Sequence, residues 1–190
     1  MIQIKSVYID MNYKKTEIPE VWVLEPKVFN DSRGYFMETF KKEDFERNIG
    51  KIEFIQDNES KSSFGVLRGL HIQKGEFAQA KLVRVIQGKV LDVAVDVREG
   101  SPTYGKHVAV ELSEENKKQL FIPRGFAHGF VVLSDNVVFC YKVDNVYSPQ
   151  SEASILYNDP ALGINWQIDP SRIIISEKDK NAPLLKDCKL

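Results

Sequence analysis

Cysteine is scarce. The 190 residues carry two, Cys140 and Cys188, and they are not spaced as a CxxC pair. That excludes a disulfide framework and leaves two ordinary reduced thiols as the expectation. Histidine is nearly as scarce, with His71, His107 and His128 only. A zinc or iron site therefore has few ligands to draw on, although two histidines and an acid would still make a facial triad. The sequence has no GxxxxGK[ST] and no GxGxxG, so the common phosphate loops are absent. It has no GxSxG turn for a serine nucleophile. It has no excess of either charge: 26 Lys and Arg stand against 27 Asp and Glu. A net charge of −1 gives no basic footprint for nucleic acid and no cationic face for a membrane. The opening "MIQIKSVYIDMNYKK" has no apolar run of signal or membrane-spanning length, which points to a cytoplasmic protein. Helical periodicity between the apolar runs is missing too, and that argues against βαβ units.

What is present is a series of short β-rich runs. "VWVLEPKVF" (21–29), "GYFMETF" (34–40), "KIEFIQDN" (51–58), "GVLRGLHIQ" (65–73), "KLVRVIQG" (81–88), "KVLDVAVDV" (89–97), "HVAVEL" (107–112), "GFVVLS" (129–134) and "VVFCYKVDN" (137–145) alternate or are rich in Val, Ile and Phe. Turn signals such as "NDSRG", "REGSPTYG" and "SDN" separate them. "VRVIQGKVLDVAV" reads as a hairpin turning at Gln87-Gly88. Short helices are expected over 41–50, over 113–119 from Ser113, and as one turn within 176–185. Many short strands at even spacing predict an all-β jelly-roll barrel or sandwich with a few short helices.

Side-chain parity frames the candidate residues. In "GVLRGLHIQ", a regular strand sends Arg68 and His71 to opposite faces. A bulge at Gly69 would bring them to one, and glycine inside a strand often marks a bulge. "IPRGFAHGF" (122–130) sets His128 at the entry to a strand behind a Pro-Gly turn. Tyr141 sits in an apolar strand, where a tyrosine is usually structural. Asp92 and Asp96 share a parity between aliphatic neighbours. Inside a barrel they must be paired; outside it they are ordinary solvated carboxylates. His107 looks incidental.

Together these stretches are more specific than any one of them. "PRGFAHGF" resembles the second cupin motif. "GVLRGLHIQ" resembles the first, except that Gln73 stands where metal cupins carry a second histidine. With "PKVFNDSRGYFMETF", "FIQDNESKS", "KLVRVIQGKVLDVAVDVR" and "YSPQSE", the chain resembles the dTDP-4-dehydrorhamnose 3,5-epimerase family from about Glu17 to Leu185. The resemblance implies residues 17–190 as a single cupin jelly-roll domain, with 1–16 as an N-terminal extension. It implies a homodimer in which N-terminal residues complete the neighbour's site. It implies a dTDP-sugar substrate, no metal and no cofactor. The reaction implied is epimerisation of dTDP-4-keto-6-deoxyglucose at C3 and C5, with 3-epimerisation or ketoisomerisation of a related dTDP-ketosugar as the alternative. By the same match His71 is the base, Asp179 its partner, Tyr141 the acid, and Lys81 the group beside the C4 oxyanion. Arg33, Glu38, Gln56, Asp57, Asn58, Arg68, His128, Glu152 and Lys178 are implied substrate contacts. Phe29 and Tyr147 are implied to stack on the thymine ring.

Overall fold

In the computed structural model, residues 11–190 are described; residues 1–10, most of the expected N-terminal extension, lie outside that range. The first strands are β1 (Asn12–Lys15), β2 (Trp22–Glu25), β3 (Val28–Asp31) and β4 (Gly34–Met37), followed by helix α1 (Lys42–Asn48). Then come β5 (Gln56–Ser63), β6 (Leu67–Gln73), β7 (Lys81–Gln87), β8 (Lys89–Asp96) and β9 (His107–Ser113). β10 (Gln119–Ile122), β11 (Phe126–Val132), β12 (Asn136–Val143), β13 (Glu152–Ser154) and helix α2 (Glu177–Lys180) complete the described strands and α-helices.

Two antiparallel sheets face each other. One runs β1-β2-β10-β7-β12-β5 and the other β13-β6-β11-β8-β9. β1–β2 and β8–β9 pair as sequence neighbours within one sheet, but from β5 to β8 and from β9 to β13 each strand crosses to the other sheet, as expected of a jelly roll. β3 and β4 form a separate two-stranded ribbon. Apolar residues of alternate parity fill the space between the sheets: Val83 and Val85 of β7, Phe139 of β12, Val90 and Ala94 of β8, Phe130 of β11. The opposite parity of the second sheet is also covered. Leu91, Val93 and Val95 of β8 pack under Ile155, Leu162, Trp166 and Leu185 of the C-terminal segment. Phe45 of α1 packs on Leu82 and Phe121 on the outside of the first sheet. Burial on both faces explains why β8 reads as an almost unbroken apolar run.

Three expectations need correction. "VRVIQGKVLDVAV" is not a hairpin: β7 and β8 belong to different sheets, and Gly88 turns the chain across the corner between them. Gly88 has φ +79°, and a Cβ there would lie 2.0 Å from the Asn136 carbonyl oxygen, so only glycine fits the corner. Residues 113–119 form a turn into β10 rather than a helix. The Ser113 hydroxyl accepts from the Asn116 amide, and the Asn116 side chain accepts from the Ser113 and Lys118 amides. Such local bonds compete with helix formation. Residues 51–55 are irregular, and the strand there starts at Gln56.

Candidate active site

Lys81, His128 and Tyr141 share the inward parity of Val83, Phe130 and Phe139, so they face the barrel interior near its mouth. β6 departs from simple alternation. His71 pairs with His128 and Arg68 with Phe130, three residues advanced on β6 against two on β11. The extra residue is a bulge at Gly69, as the parity argument required. Its effect is visible on both faces: Leu67 and Leu70 lie in the outer layer, while Arg68 and His71 both line the interior cleft. Gly69 has φ +129°, and a Cβ there would sit 2.5 Å from Gly129 Cα.

The cleft has a volume of about 670 Å³. Asn58 and Ser60 of β5, Arg68 and His71 of β6, Lys81, His128, Tyr141, and the segment with Lys178 and Asp179 contribute to its wall. His71 and Tyr141 come from different sheets, so they stand on facing walls.

His71 Nε2 lies 2.7 Å from Asp179 Oδ1. The Asp179 side chain is 5% exposed and that of His71 32%, so the carboxylate is shielded while the ring opens to the cleft. Two contacts fix Asp179. Ser176 caps α2 by accepting from the Asp179 amide at 3.1 Å, and the Gly69 amide of the bulge donates to Oδ2 at 3.4 Å. Burial raises the Asp179 pKa, but the hydrogen bond and charge of His71, with the Gly69 amide and Ser176, together outweigh it and hold the carboxyl below its ordinary range. With Nε2–H donated to that carboxylate, Nδ1 carries the lone pair. Burial raises the Tyr141 pKa, with Arg68 pulling weakly the other way, so the phenol stays protonated at neutral pH. Burial lowers Lys81 to about 8, against the pull of Asp92 and Glu152.

Arg68 rests its Nε and Nη2 on Ser62 Oγ, at 3.2 and 3.1 Å. His128 is buried and donates from Nε2 to both oxygens of Asp92, at 3.0 and 3.1 Å. Burial lowers its pKa despite that carboxylate. Asp96, the other inward aspartate of β8, accepts from Arg98, Ser101 and Thr103. Both aspartates are thus interior and paired. Asp92, in contact with a cleft residue, is the member of the site that sequence reasoning left out; its parity with inward Val90 and Ala94 was the available signal.

The remaining predicted residues fall in three places. Tyr147 and Lys178 both donate to Glu152 Oε2, at 3.0 and 2.5 Å, and Lys178 ties this trio to the cleft. Gln56 donates to Asn58 Oδ1, and Asp57 pairs with Lys142 on the outer face of the first sheet. Phe29 and Arg33 lie on the β3–β4 ribbon and line a separate cavity, with Arg33 paired to Asp31; Glu38 follows the ribbon and does not line the cleft. Gln73 is buried and accepts from the Ser148 amide at 2.8 Å, fastening the loop that carries Tyr147. Among the described residues no group of three His, Cys, Asp or Glu side chains is placed to hold a metal ion.

A lone-pair nitrogen backed by a carboxylate faces a protonated phenol across the cleft, with an ammonium between the sheets. Such an arrangement can take a proton from one side of a carbon and return one from the other, the chemistry of an acid–base isomerase, here on a cupin-type barrel. The family model for dTDP-4-dehydrorhamnose 3,5-epimerase matches residues 15–187. An epimerase of that description from Salmonella typhimurium is 58% identical over 90% of this chain and 93% of its own. The crystal structure of another, from Elizabethkingia anophelis, is 55% identical and superposes with a TM-score of 0.90, over 93% of this chain and 97% of that one. The Legionella pneumophila dTDP-6-deoxy-D-glucose-3,5-epimerase, crystallised with dTDP-4-keto-L-rhamnose, is 49% identical with a TM-score of 0.90, over 94% of each chain. The chain belongs to the dTDP-4-dehydrorhamnose 3,5-epimerase family.

Proposed function

We propose that this protein epimerises dTDP-4-keto-6-deoxy-D-glucose at C3 and C5 to dTDP-4-keto-L-rhamnose. The observation that carries the reading is the His71–Asp179 pair on one wall of the cleft with Tyr141 on the other. C3 and C5 both lie next to the C4 ketone, so each C–H is acidic enough for an enolate route. His71 Nδ1 takes the proton, and Asp179 stabilises the imidazolium that forms. Charge moves to the C4 oxygen, where the Lys81 ammonium stabilises it. Tyr141 delivers a proton to the opposite side of the same carbon, and the configuration inverts. His71 then returns its proton to solvent and Tyr141 regains one. Only protons move, so the route as written uses no cofactor.

Arg68 suits the diphosphate, since a guanidinium fork matches two phosphate oxygens. Asn58 and His128 face the sugar, and the Glu152–Lys178–Tyr147 trio lies on the nucleotide side. The β3–β4 ribbon exposes Tyr35 and Phe36 at 54% and 62%. Exposed aromatics of this size favour an interface. A homodimer in which the ribbon carries Arg33, Phe29 and Glu38 to the partner's cleft accounts for their distance from this one. No described helix is long and apolar enough to cross a membrane, and a cytoplasmic location is the reading we favour.

Proton NMR in deuterated water tests the reaction. Exchange and inversion at both C3 and C5 supports it. Exchange at C3 alone, or migration of the ketone, overturns it.

A further inference from the structure

Asp92 sits inside the barrel with no exposed surface. A carboxylate there is costly unless it is paired. Its one hydrogen-bond partner among the described residues is His128 Nε2, held by both oxygens at 3.0 and 3.1 Å. That arrangement fixes the tautomer of a cleft residue: Nε2 carries the proton and Nδ1 is left as an acceptor. Lys81 lines the same cleft as His128, the residue to which Asp92 is bonded. Asp92 from β8 and Glu152 from β13 favour its ammonium, while burial opposes it. His128, His71 and Tyr141 share the cleft from β11, β6 and β12.

We infer that Asp92 is a positioning residue of this site. It holds His128 as a hydrogen-bond acceptor for the substrate, and through that contact it places a buried negative charge on the side of the cleft that Lys81 shares. The inference rests on the proposed epimerisation for its catalytic consequence, since there Lys81 must be charged to stabilise the C4 oxyanion. Its physical content, the tautomer of His128 and the charge of Lys81, stands apart from the reaction.

Asp92→Asn keeps the side-chain volume and removes the charge. Removing a nearby opposite charge lowers an ammonium pKa by about one unit. The titration midpoint of Lys81, followed by 13C NMR of its Cε, is therefore expected to fall by about that much in the variant. The basic limb of kcat/KM for C3 and C5 exchange should move to lower pH by the same amount. From about 8, that means a loss of roughly fivefold at pH 8 and under twofold at pH 6. A residue with only a packing role would lower activity evenly across pH. An unmoved Lys81 midpoint, with a pH profile that falls evenly, overturns the inference and leaves the epimerase reading intact. A wild-type protein that exchanges neither proton overturns that reading instead, and the Lys81 titration still decides on Asp92. Should the variant fail to fold, wild-type 15N NMR of His128 decides. Nε2–H with an unprotonated Nδ1 from pH 6 to 8 supports the inference, and the reverse tautomer overturns it.

Discussion

In the proposed reaction His71 and Tyr141, on facing walls, handle different protons, so their variants are expected to fail in different ways. His71→Asn removes the lone pair that Asp179 prepares. Deuterium incorporation at C3 and C5 should fall by about 10²–10⁴-fold, the usual worth of a positioned base, while dTDP affinity by calorimetry changes little. Tyr141→Phe leaves the base in place. The enolate still forms, and His71, after exchange with solvent, returns a deuteron to the side it came from. Label should therefore enter without inversion, and product formation should drop over the same range. Equal loss of label and inversion in Tyr141→Phe would remove Tyr141 from the acid role. The pair was legible from the sequence only through family resemblance. Composition alone left His71 a possible metal ligand, and a tyrosine in an apolar strand is usually structural. The His71–Asp179 contact joins residues 108 positions apart, which no local pattern reports. Asp92 was left open for a related reason. Its parity was visible, but its partner depends on β11 lying beside β8, a fact of strand order.

At the scale of the element, the β6 bulge decides whether the site exists. It puts Arg68 and His71 on one face, and it frees the Gly69 amide to hold Asp179. Gly69→Ala is expected to damage both stability and activity. Its Cβ would meet Gly129 Cα at 2.5 Å and the His128 carbonyl oxygen at 2.8 Å, and both are backbone atoms of the neighbouring strand. A positive φ adds to the cost. We expect a loss of at least ~2 kcal/mol in denaturant unfolding, and in the folded fraction a fall in kcat larger than any change in KM. An active, fully stable Gly69→Ala protein would show that the bulge does not position the base. The residues alone marked where a bulge could sit, with Gly69 between Arg68 and His71; that both side chains serve one site came from the family resemblance. The Gln87-Gly88 corner was not legible. A glycine turn between apolar strands reads alike whether the strands pair or diverge, and only the covering of both β8 faces separates the cases.

For the whole molecule, stability and assembly make separate demands. Asp96 is buried, and burial raises its pKa, but Arg98, Ser101 and Thr103 together hold it well below the aspartate range. Its stabilisation is present above the unfolded aspartate value of about 3.9 and is lost as pH falls below it. Asp96→Asn should cost about 2–3 kcal/mol at pH 7, and the gap in melting temperature from wild type should narrow toward pH 3. A gap that does not change with pH would assign Asp96 a packing role only. The proposed homodimer makes a prediction about the active site itself. If the β3–β4 ribbon of one protomer serves the cleft of its partner, Arg33 and His71 of one chain work in different sites. Arg33→Ala and His71→Asn homodimers should then each be weak or inactive. Unfolding and refolding them together in equal amounts makes half the dimers mixed, and each mixed dimer has one cleft with both groups intact. Recovery of roughly a quarter of the wild-type rate is expected from that count. If Arg33 serves its own cleft, every site in the mixture lacks one group or the other, and mixing restores nothing.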